Sequence, residues 1–130
     1  MILEVLKFPD PRLRKKGVAV KAVTAELRAL AQNMLETMVS ESGIGLAAPQ
    51  VGQSVRLLVI DTRPTDEEGN FTTENLTDLE KVIEQPIVLF NPEIKVAQNK
   101  TSYEEGCLSV PGFFETVERY DIHVLLRSIK

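Results

Sequence analysis

Hydrophobic residues recur at helical spacing in one stretch of the chain. Thr24 has the character of a helix N-cap, and Glu26 follows in the first turn. Apolar residues then lie three and four positions apart, which predicts one amphipathic helix over residues 24–42 that ends near Gly43. We interpret its apolar stripe as core: Leu27, Leu30, Ala31, Met34, Leu35, Met38 and Val39.

Short apolar or alternating runs elsewhere predict β-strands. They cover residues 56–60, expected to be buried on both faces, and residues 87–90, 93–96, 101–104, 115–119 and 122–126, with a turn at Asn99-Lys100. Residues 1–23 contain Pro9 and Pro11 and predict an irregular arm wrapped over the domain. One long helix and several short strands favour an α+β fold, with the helix packed on bent, mostly antiparallel sheet.

Composition and charge narrow the class of protein. The 130 residues are 43% hydrophobic and 26% charged, as expected for one soluble globular domain over residues 1–130. The net charge of −4 disfavours nucleic acid or an anionic membrane as partner. No apolar run reaches the roughly 18 residues of a membrane span, and the N-terminus is no signal peptide, so a cytoplasmic location is expected. Residues 61–86 carry eight acids and two bases, which indicates a solvated insertion between two strands.

Candidate chemistry begins with Cys107, the single cysteine, which directly follows Gly106. Such a thiol can be a nucleophile, a metal ligand or a small core residue. Residues 43–52 place small residues around one amide, Gln50, so another backbone or an extended ligand can approach them; a tight connection without chemistry is the alternative. The single histidine, His123, lies opposite the apolar face of its strand pattern and is interpreted as a surface residue.

Two stretches together resemble signature motifs of the peptide deformylases. The first motif of that family, Gly-apolar-Gly-apolar-Ala-Ala-x-Gln, is met by Gly43-Ile44-Gly45-Leu46-Ala47-Ala48-Pro49-Gln50. The second is met by Glu105-Gly106-Cys107-Leu108-Ser109. Residues 10–14 and Arg119 also match family positions. The resemblance implies a hydrolase of linear amides that removes the formyl group from the initiator methionine of nascent chains at the ribosome.

The resemblance also implies a metal and a substrate site. A divalent metal, Fe²⁺ in the family with Zn²⁺ or Ni²⁺ possible, would lower the pKa of a bound water from about 15.7 toward 7. Cys107 would be its thiolate ligand. Gln50 and the backbone amide of Leu108 would stabilise the oxyanion on the formyl oxygen. The substrate backbone would add as a strand along Ile44, Gly45 and Gly106, and Ile44 would also line the methionine pocket.

The third family motif, His-Glu-x-x-His on a C-terminal helix, should supply two histidine ligands and the general base. It does not occur in this sequence, and His123 does not replace it. A single thiolate holds a metal weakly, so we expect the chain to be inactive alone and not to retain metal. Three interpretations stay open: a truncated deformylase domain without its C-terminal helix, a catalytically dead module that binds peptides or a partner, and a nucleophilic or redox thiol.

Overall fold

The computed structural model describes residues 1–125, with the side chains of Val96 and of residues 120–125 excepted. It has one long helix, one short helix and five strands. In chain order these elements are α1 (Ala25–Ser40), β1 (Gly45–Ala47), β2 (Leu57–Ile60), α2 (Asp78–Val82), β3 (Ile87–Phe90), β4 (Glu93–Cys107) and β5 (Val110–Leu125). The predicted α+β class is confirmed.

Helix α1 forms where the cap and the apolar stripe predicted it. The Thr24 side chain accepts a hydrogen bond from the Leu27 backbone N–H at 3.2 Å, which satisfies one of the free donors of the first turn. The helix ends at Ser40, two residues before the predicted end, and the Gly43 N–H closes it on the Met38 carbonyl at 2.9 Å. Its buried face packs against the sheet in one core cluster: Val5, Ala31, Met34, Met38, Leu46, Ala48, Leu57 and Val59.

The helix packs on a three-stranded antiparallel sheet of order β1-β2-β3. Leu46 of β1 pairs with Val59 of β2, which pairs with Val88 of β3. Leu57 and Val59 are buried whereas the alternate residues of β2 are half-buried, so the expectation of full burial on both faces was wrong for one face. Because β1 is the first strand in the order β1-β2-β3, it lies at one edge of this sheet.

Strands β4 and β5 form a long antiparallel hairpin that carries the cysteine. The pairing ends at Cys107 and Val110, so Leu108 and Ser109 are a two-residue turn. The predicted turn at Asn99-Lys100 was wrong, because a register shift places a β-bulge there with Asn99 at φ 57°. An asparagine that tolerates this conformation suits a bulge as well as a turn.

The strands predicted over residues 115–119 and 122–126 form one strand, β5, since residues 120 and 121 are paired in the same hairpin. Leu126 lies outside the described residues, and so does the side chain of His123, whose exposure was predicted. The backbone of His123 pairs with Val96 of β4.

The N-terminal arm is irregular as predicted except for one 3₁₀ helix, Pro11–Arg14, and hydrogen bonds attach the arm to the domain at both ends. The Leu3 N–H donates to the buried Thr37 hydroxyl of α1 at 2.8 Å, and that hydroxyl donates to the Asn33 carbonyl at 2.7 Å. Further along, the Asn91 side chain bonds both backbone groups of Val20, at 2.8 and 2.7 Å. The arm is therefore an integral part of the fold.

The acidic residues 61–86 connect the paired strands β2 and β3. Asp61 is the buried exception in a mostly exposed segment: its carboxylate binds the Arg63 guanidinium at 2.6 Å, and Arg63 lies 4.2 Å from the Phe71 ring centroid. No helix in the described part of the chain is long and apolar enough to cross a membrane.

An ion pair ties the two strands of the hairpin close to its tip. The Arg119 guanidinium of β5 donates to both carboxylate oxygens of Glu105 in β4, at 2.8 and 2.7 Å. Hydrogen bonds from Arg119, helped by its charge, hold the pKa of Glu105 below its usual range. The pair is solvent-exposed, so it contributes little to stability.

The core centred on α1 predicts a large cost for truncating Met34, which has no exposed surface. Met34→Ala should lower the free energy of unfolding by roughly 2–5 kcal/mol, because it removes buried contacts and leaves a cavity. Val82→Ala, at a side chain that is 79% exposed, is the control and should change it by less than about 0.5 kcal/mol. Equal urea midpoints for the two variants would contradict this core.

The Glu105–Arg119 pair predicts a defined pH dependence. A folded pKa below the unfolded value means that the pair stabilises the hairpin above about pH 4.3 and loses this effect as pH falls through the folded pKa. In an NMR titration of the Glu105 carboxyl carbon, Arg119→Gln should raise the pKa toward its ordinary value. Lys95→Gln, which removes another cation of the hairpin, should leave it unchanged. A Glu105 pKa that is the same with and without Arg119 would refute the pairing.

Candidate active site

A cleft of about 860 Å³ lies between the segment entering β1 and the tip of the hairpin. One wall is formed by residues around the α1–β1 connection, and the other by the ends of β4 and β5. The fold thus brings together two stretches that are about 60 residues apart in sequence. From the sequence, six residues were assigned a role in the site, and all six line this cleft: Ile44, Gly45, Gln50, Gly106, Cys107 and Leu108.

Gln50 joins the two stretches through its side-chain amide. It lies in a 3₁₀ turn, Ala48–Val51, where its Oε1 accepts a hydrogen bond from the Ala47 N–H at 3.0 Å. Because this hydrogen bond holds the amide oxygen toward Ala47, the Nε2 group of the same side chain points to the hairpin turn. Nε2 lies 3.2 Å from the Ser109 Oγ and 3.8 Å from the Cys107 Sγ. The site therefore holds an oriented hydrogen-bond donor beside the thiol.

Cys107 is the last residue of β4 and presents a free, exposed thiol to the cleft. Its pairing with Val110 across the two-residue turn fixes the position of its backbone. The side chain hydrogen-bonded to Sγ belongs to Gln50, a neutral amide that cannot act as a base. A sulfur at this position can bind a metal or react with an alkylating agent, but Gln50 does not activate it as a nucleophile.

Glycines allow the two stretches to approach each other. A Cβ on Gly43 would lie 2.8 Å from Cδ1 of Leu108, so the leucine side chain packs directly over this glycine. A Cβ on Gly106 would lie 2.8 Å from a ring carbon of Phe114, its cross-strand neighbour. At Gly45 the nearest atom would be 3.8 Å away, so the fold leaves this position open. The space beside Gly45 is available to a ligand.

The cleft has an apolar lining close to the amide and the thiol. Ile44 lines it with 64% of its surface exposed, and the aromatic rings of Phe113 and Phe114, 72% and 66% exposed, belong to the opposite wall. Exposed apolar side chains grouped around a few oriented polar groups are typical of ligand-binding clefts.

Two residues of the site were not assigned a role from the sequence. Ser109 is buried and its hydroxyl accepts the hydrogen bond of Gln50; its place in the second motif was the available signal. Lys7 lines the cleft, and its Nζ donates to the carbonyl of Leu108 at 2.8 Å although the two residues are 101 positions apart. No local pattern around Lys7 indicates this contact.

The described residues do not make a complete metal centre by themselves. Within residues 1–125, wherever side chains are described, no group of three or more His, Cys, Asp or Glu side chains could hold a metal ion. Near Cys107 the hydrogen-bonded polar group is the Gln50 amide, a poor metal ligand beside a thiolate. Of these two groups, the Cys107 thiol is suited to be a metal ligand, so the described residues here supply one ligand of a metal site.

Comparison with known proteins gives consistent matches along the chain. The sequence profile of the family described as polypeptide deformylase matches residues 2–127. The peptide deformylase of Endomicrobium trichonymphae is 44% identical over 119 residues, covering 92% of this chain and 61% of the relative. That of Alkalilimnicola ehrlichii is 46% identical over 118 residues, covering 91% and 57%. The chain thus spans about three-fifths of the length of these curated relatives.

Solved structures agree with the sequence matches. Peptide deformylase from Thermotoga maritima superposes with a TM-score of 0.78 at 33% identity, covering 99% of this chain and 76% of that one. A class I type b peptide deformylase from Acinetobacter baumannii with Met-Ala-Ser bound gives 0.79 at 28% identity, covering 99% and 78%. With matching motifs, fold and sequence profile, the chain belongs to the polypeptide deformylase family.

Proposed function

We propose that this chain forms the substrate-binding and oxyanion-stabilising face of a peptide deformylase active site. The observation that carries the proposal is the Gln50 Nε2 group, held 3.8 Å from the Cys107 sulfur at the end of an open, glycine-containing strand edge. The substrate class would be peptides that begin with formyl-methionine. Family membership, motifs and cleft geometry support this choice.

The substrate backbone is proposed to bind as an added strand along β1. Among residues 1–125, β2 is the strand that pairs with β1, and the opposite edge of β1 faces the cleft. An extended peptide gains main-chain hydrogen bonds from such an edge. Gly45 leaves room for the approaching backbone, and Gly106 lies across the cleft from it. Met-Ala-Ser bound to the Acinetobacter baumannii relative is in keeping with a peptide ligand.

The methionine side chain is proposed to contact Ile44. This side chain is 64% exposed in the cleft, so a bound apolar group would remove it from water. Each Å² of apolar surface so buried contributes about 25 cal/mol. A flexible thioether fits an irregular apolar surface better than a branched side chain would.

The formyl oxygen is proposed to accept hydrogen bonds from Gln50 Nε2 and from the backbone N–H of Leu108. Both donors belong to groups held in place before any substrate arrives: Gln50 by Ala47, and Leu108 by the hairpin turn. Donors fixed in advance stabilise the negative charge that develops on the oxygen without a reorganisation cost, and one such donor is typically worth about 10²- to 10³-fold in rate.

The family is metal-dependent, and Cys107 is proposed as one ligand of the divalent ion. The full sequence contains one cysteine and one histidine, one histidine fewer than the set of one cysteine and two histidines that the resemblance implies. We therefore propose that the 130-residue polypeptide binds formylated peptides but does not hydrolyse them alone. Formylated nascent chains are the corresponding partners of a complete enzyme.

A second candidate is a peptide-binding module without hydrolysis. The observation that favours it is that the edge of β1, the exposed Ile44 and the Gln50 donor are all positioned by the chain's own pairing and hydrogen bonds. The two proposals differ in whether the binding face works in catalysis when further ligands are supplied.

Titration with a fluorescent formyl-Met-Ala-Ser peptide in the presence of EDTA tests the proposed function. We expect saturable binding that weakens at least about tenfold when the formyl group is absent, since the two donors then lose their acceptor. Gln50→Ala should reduce this preference, whereas Gln53→Ala, outside the cleft, should not.

Turnover is then measured with Fe²⁺, Ni²⁺ or Zn²⁺ added, and release of formate from the 130-residue chain is expected to stay at background. Formate release above background would overturn the proposed inactivity. Absence of any preference for the formylated peptide would overturn the proposed substrate class.

Gly45→Val separates ligand binding from folding. The position has no atom nearer than 3.8 Å to an added Cβ, and valine suits a strand better than glycine, so the free energy of unfolding should stay equal or rise. Peptide affinity should fall at least about tenfold, because the added side chain would project from β1 into the cleft space that Gly45 leaves for the peptide. Ala97→Val, on an exposed part of β4, is the control and should not affect binding. Unchanged affinity in Gly45→Val would place the peptide elsewhere.

A further inference from the structure

We propose that residues 6–8 of the N-terminal arm align the two halves of the site, and that Lys7 is a positioning residue for the hairpin turn. The inference rests on the proposed function for its effect on substrate, because an aligned turn matters only if Leu108 and Gln50 bind the formyl group. The alignment itself is a separate structural property and is tested separately below.

Three successive arm residues hold both stretches at once. The Leu6 N–H donates to the Gln50 carbonyl at 2.7 Å, which holds the first stretch. The Phe8 N–H donates to the Ser109 carbonyl at 2.8 Å, and Lys7 Nζ donates to the Leu108 carbonyl at 2.8 Å. Both carbonyls of the two-residue turn are therefore occupied by arm donors. A segment three residues long thus contacts both Gln50 and the turn, in addition to the direct hydrogen bond from the Gln50 side chain to Ser109.

Most of the hairpin has little packing, and its contact with the core is concentrated at the tip, where Leu108 packs over Gly43 and Ser109 is buried. Most described side chains of β4 and β5 are exposed, in contrast to the buried core formed by α1, β1 and β2. A ribbon held mainly by cross-strand pairing can change its angle to the rest of the domain at small cost. The hydrogen bonds from the arm act together with this local packing in placing the donors of the turn.

The part of the arm that precedes Lys7 is held against the domain by burial and by a hydrogen bond. Val5 and Leu6 are 7% and 4% exposed, and the arm is further fixed by the bond from Leu3 to Thr37. Lys7 directly follows these two buried residues and is exposed. Its flexible stem reaches the turn, where the compact ammonium group donates to the Leu108 carbonyl. A charged donor holds the Leu108 carbonyl more strongly than a neutral one would. The Leu108 carbonyl belongs to the Leu108–Ser109 peptide plane. This plane directly follows the one that carries the Leu108 N–H, so holding the carbonyl restricts the turn next to that donor.

The test compares Lys7→Met, which keeps most of the stem and removes the donor, with Lys7→Arg, which keeps a charged donor. Lys16→Met, at another exposed lysine of the arm, is the matched control. In ¹⁵N spectra without peptide, the amide signals of Leu108 and Ser109 and the side-chain amide of Gln50 should move in Lys7→Met and stay near wild type in the other two. Urea midpoints should agree with wild type for all three.

Binding of formyl-Met-Ala-Ser and of unformylated Met-Ala-Ser is then measured with EDTA present. Lys7→Met should bind the formylated peptide about threefold to tenfold more weakly, with little change for the unformylated one. Lys7→Arg should restore most of the difference. Unmoved signals in Lys7→Met, or an urea midpoint that falls in parallel with affinity, would overturn the positioning role. A wild-type chain without formyl preference would overturn the proposed function, while the peptide-free spectra still decide the role of Lys7.

Discussion

The side-chain amide of Gln50 is the constraint on which the cleft depends. Its oxygen is occupied by the Ala47 N–H, so its nitrogen must face the hairpin turn, where Ser109 and Cys107 receive it. This one group joins residues 57 and 59 positions apart. Sheet pairing of β1 with β2 fixes the first partner, and the hairpin pairing fixes the others. The geometry of the site is thus a product of both sheets and belongs to neither alone.

The two sheets contribute unequally to stability. The helix and the three-stranded sheet share a buried core, whereas the hairpin exposes Ile94, Tyr103, Phe113 and Phe114 by half or more of their surface. Burial of apolar surface is the main favourable term in folding, so most of the stability resides in the first unit. The geometry of the site then depends on the few contacts between this well-packed unit and the hairpin tip: hydrogen bonds to the turn and the packing of Leu108 over Gly43.

Local signals explain which parts of this fold were predictable from sequence. The Thr24 cap and the apolar stripe lie within one segment, and α1 formed within two residues of its predicted end. The hairpin depends on pairing between residues up to 32 positions apart, so its strands were predicted as shorter pieces, and the left-handed Asn99 was interpreted as a turn instead of a bulge. The site residues came from motif resemblance. The contact of Lys7 was not predicted, because its partner Leu108 lies 101 residues away in the sequence.

The positions of the glycines in the two motifs differ in what surrounds them, so the physical reason for glycine differs as well. At Gly43 the Leu108 side chain, and at Gly106 the Phe114 ring, occupies the space of an added Cβ, which would lie 2.8 Å from these atoms, so a larger residue at either position would have to displace that side chain. Packing within the chain therefore accounts for both. At Gly45 no atom comes closer than 3.8 Å, and glycine weakens a strand interior, so the fold alone would favour a larger residue there. Packing within the described residues therefore does not account for Gly45, and the space beside it is where the proposed peptide ligand would lie.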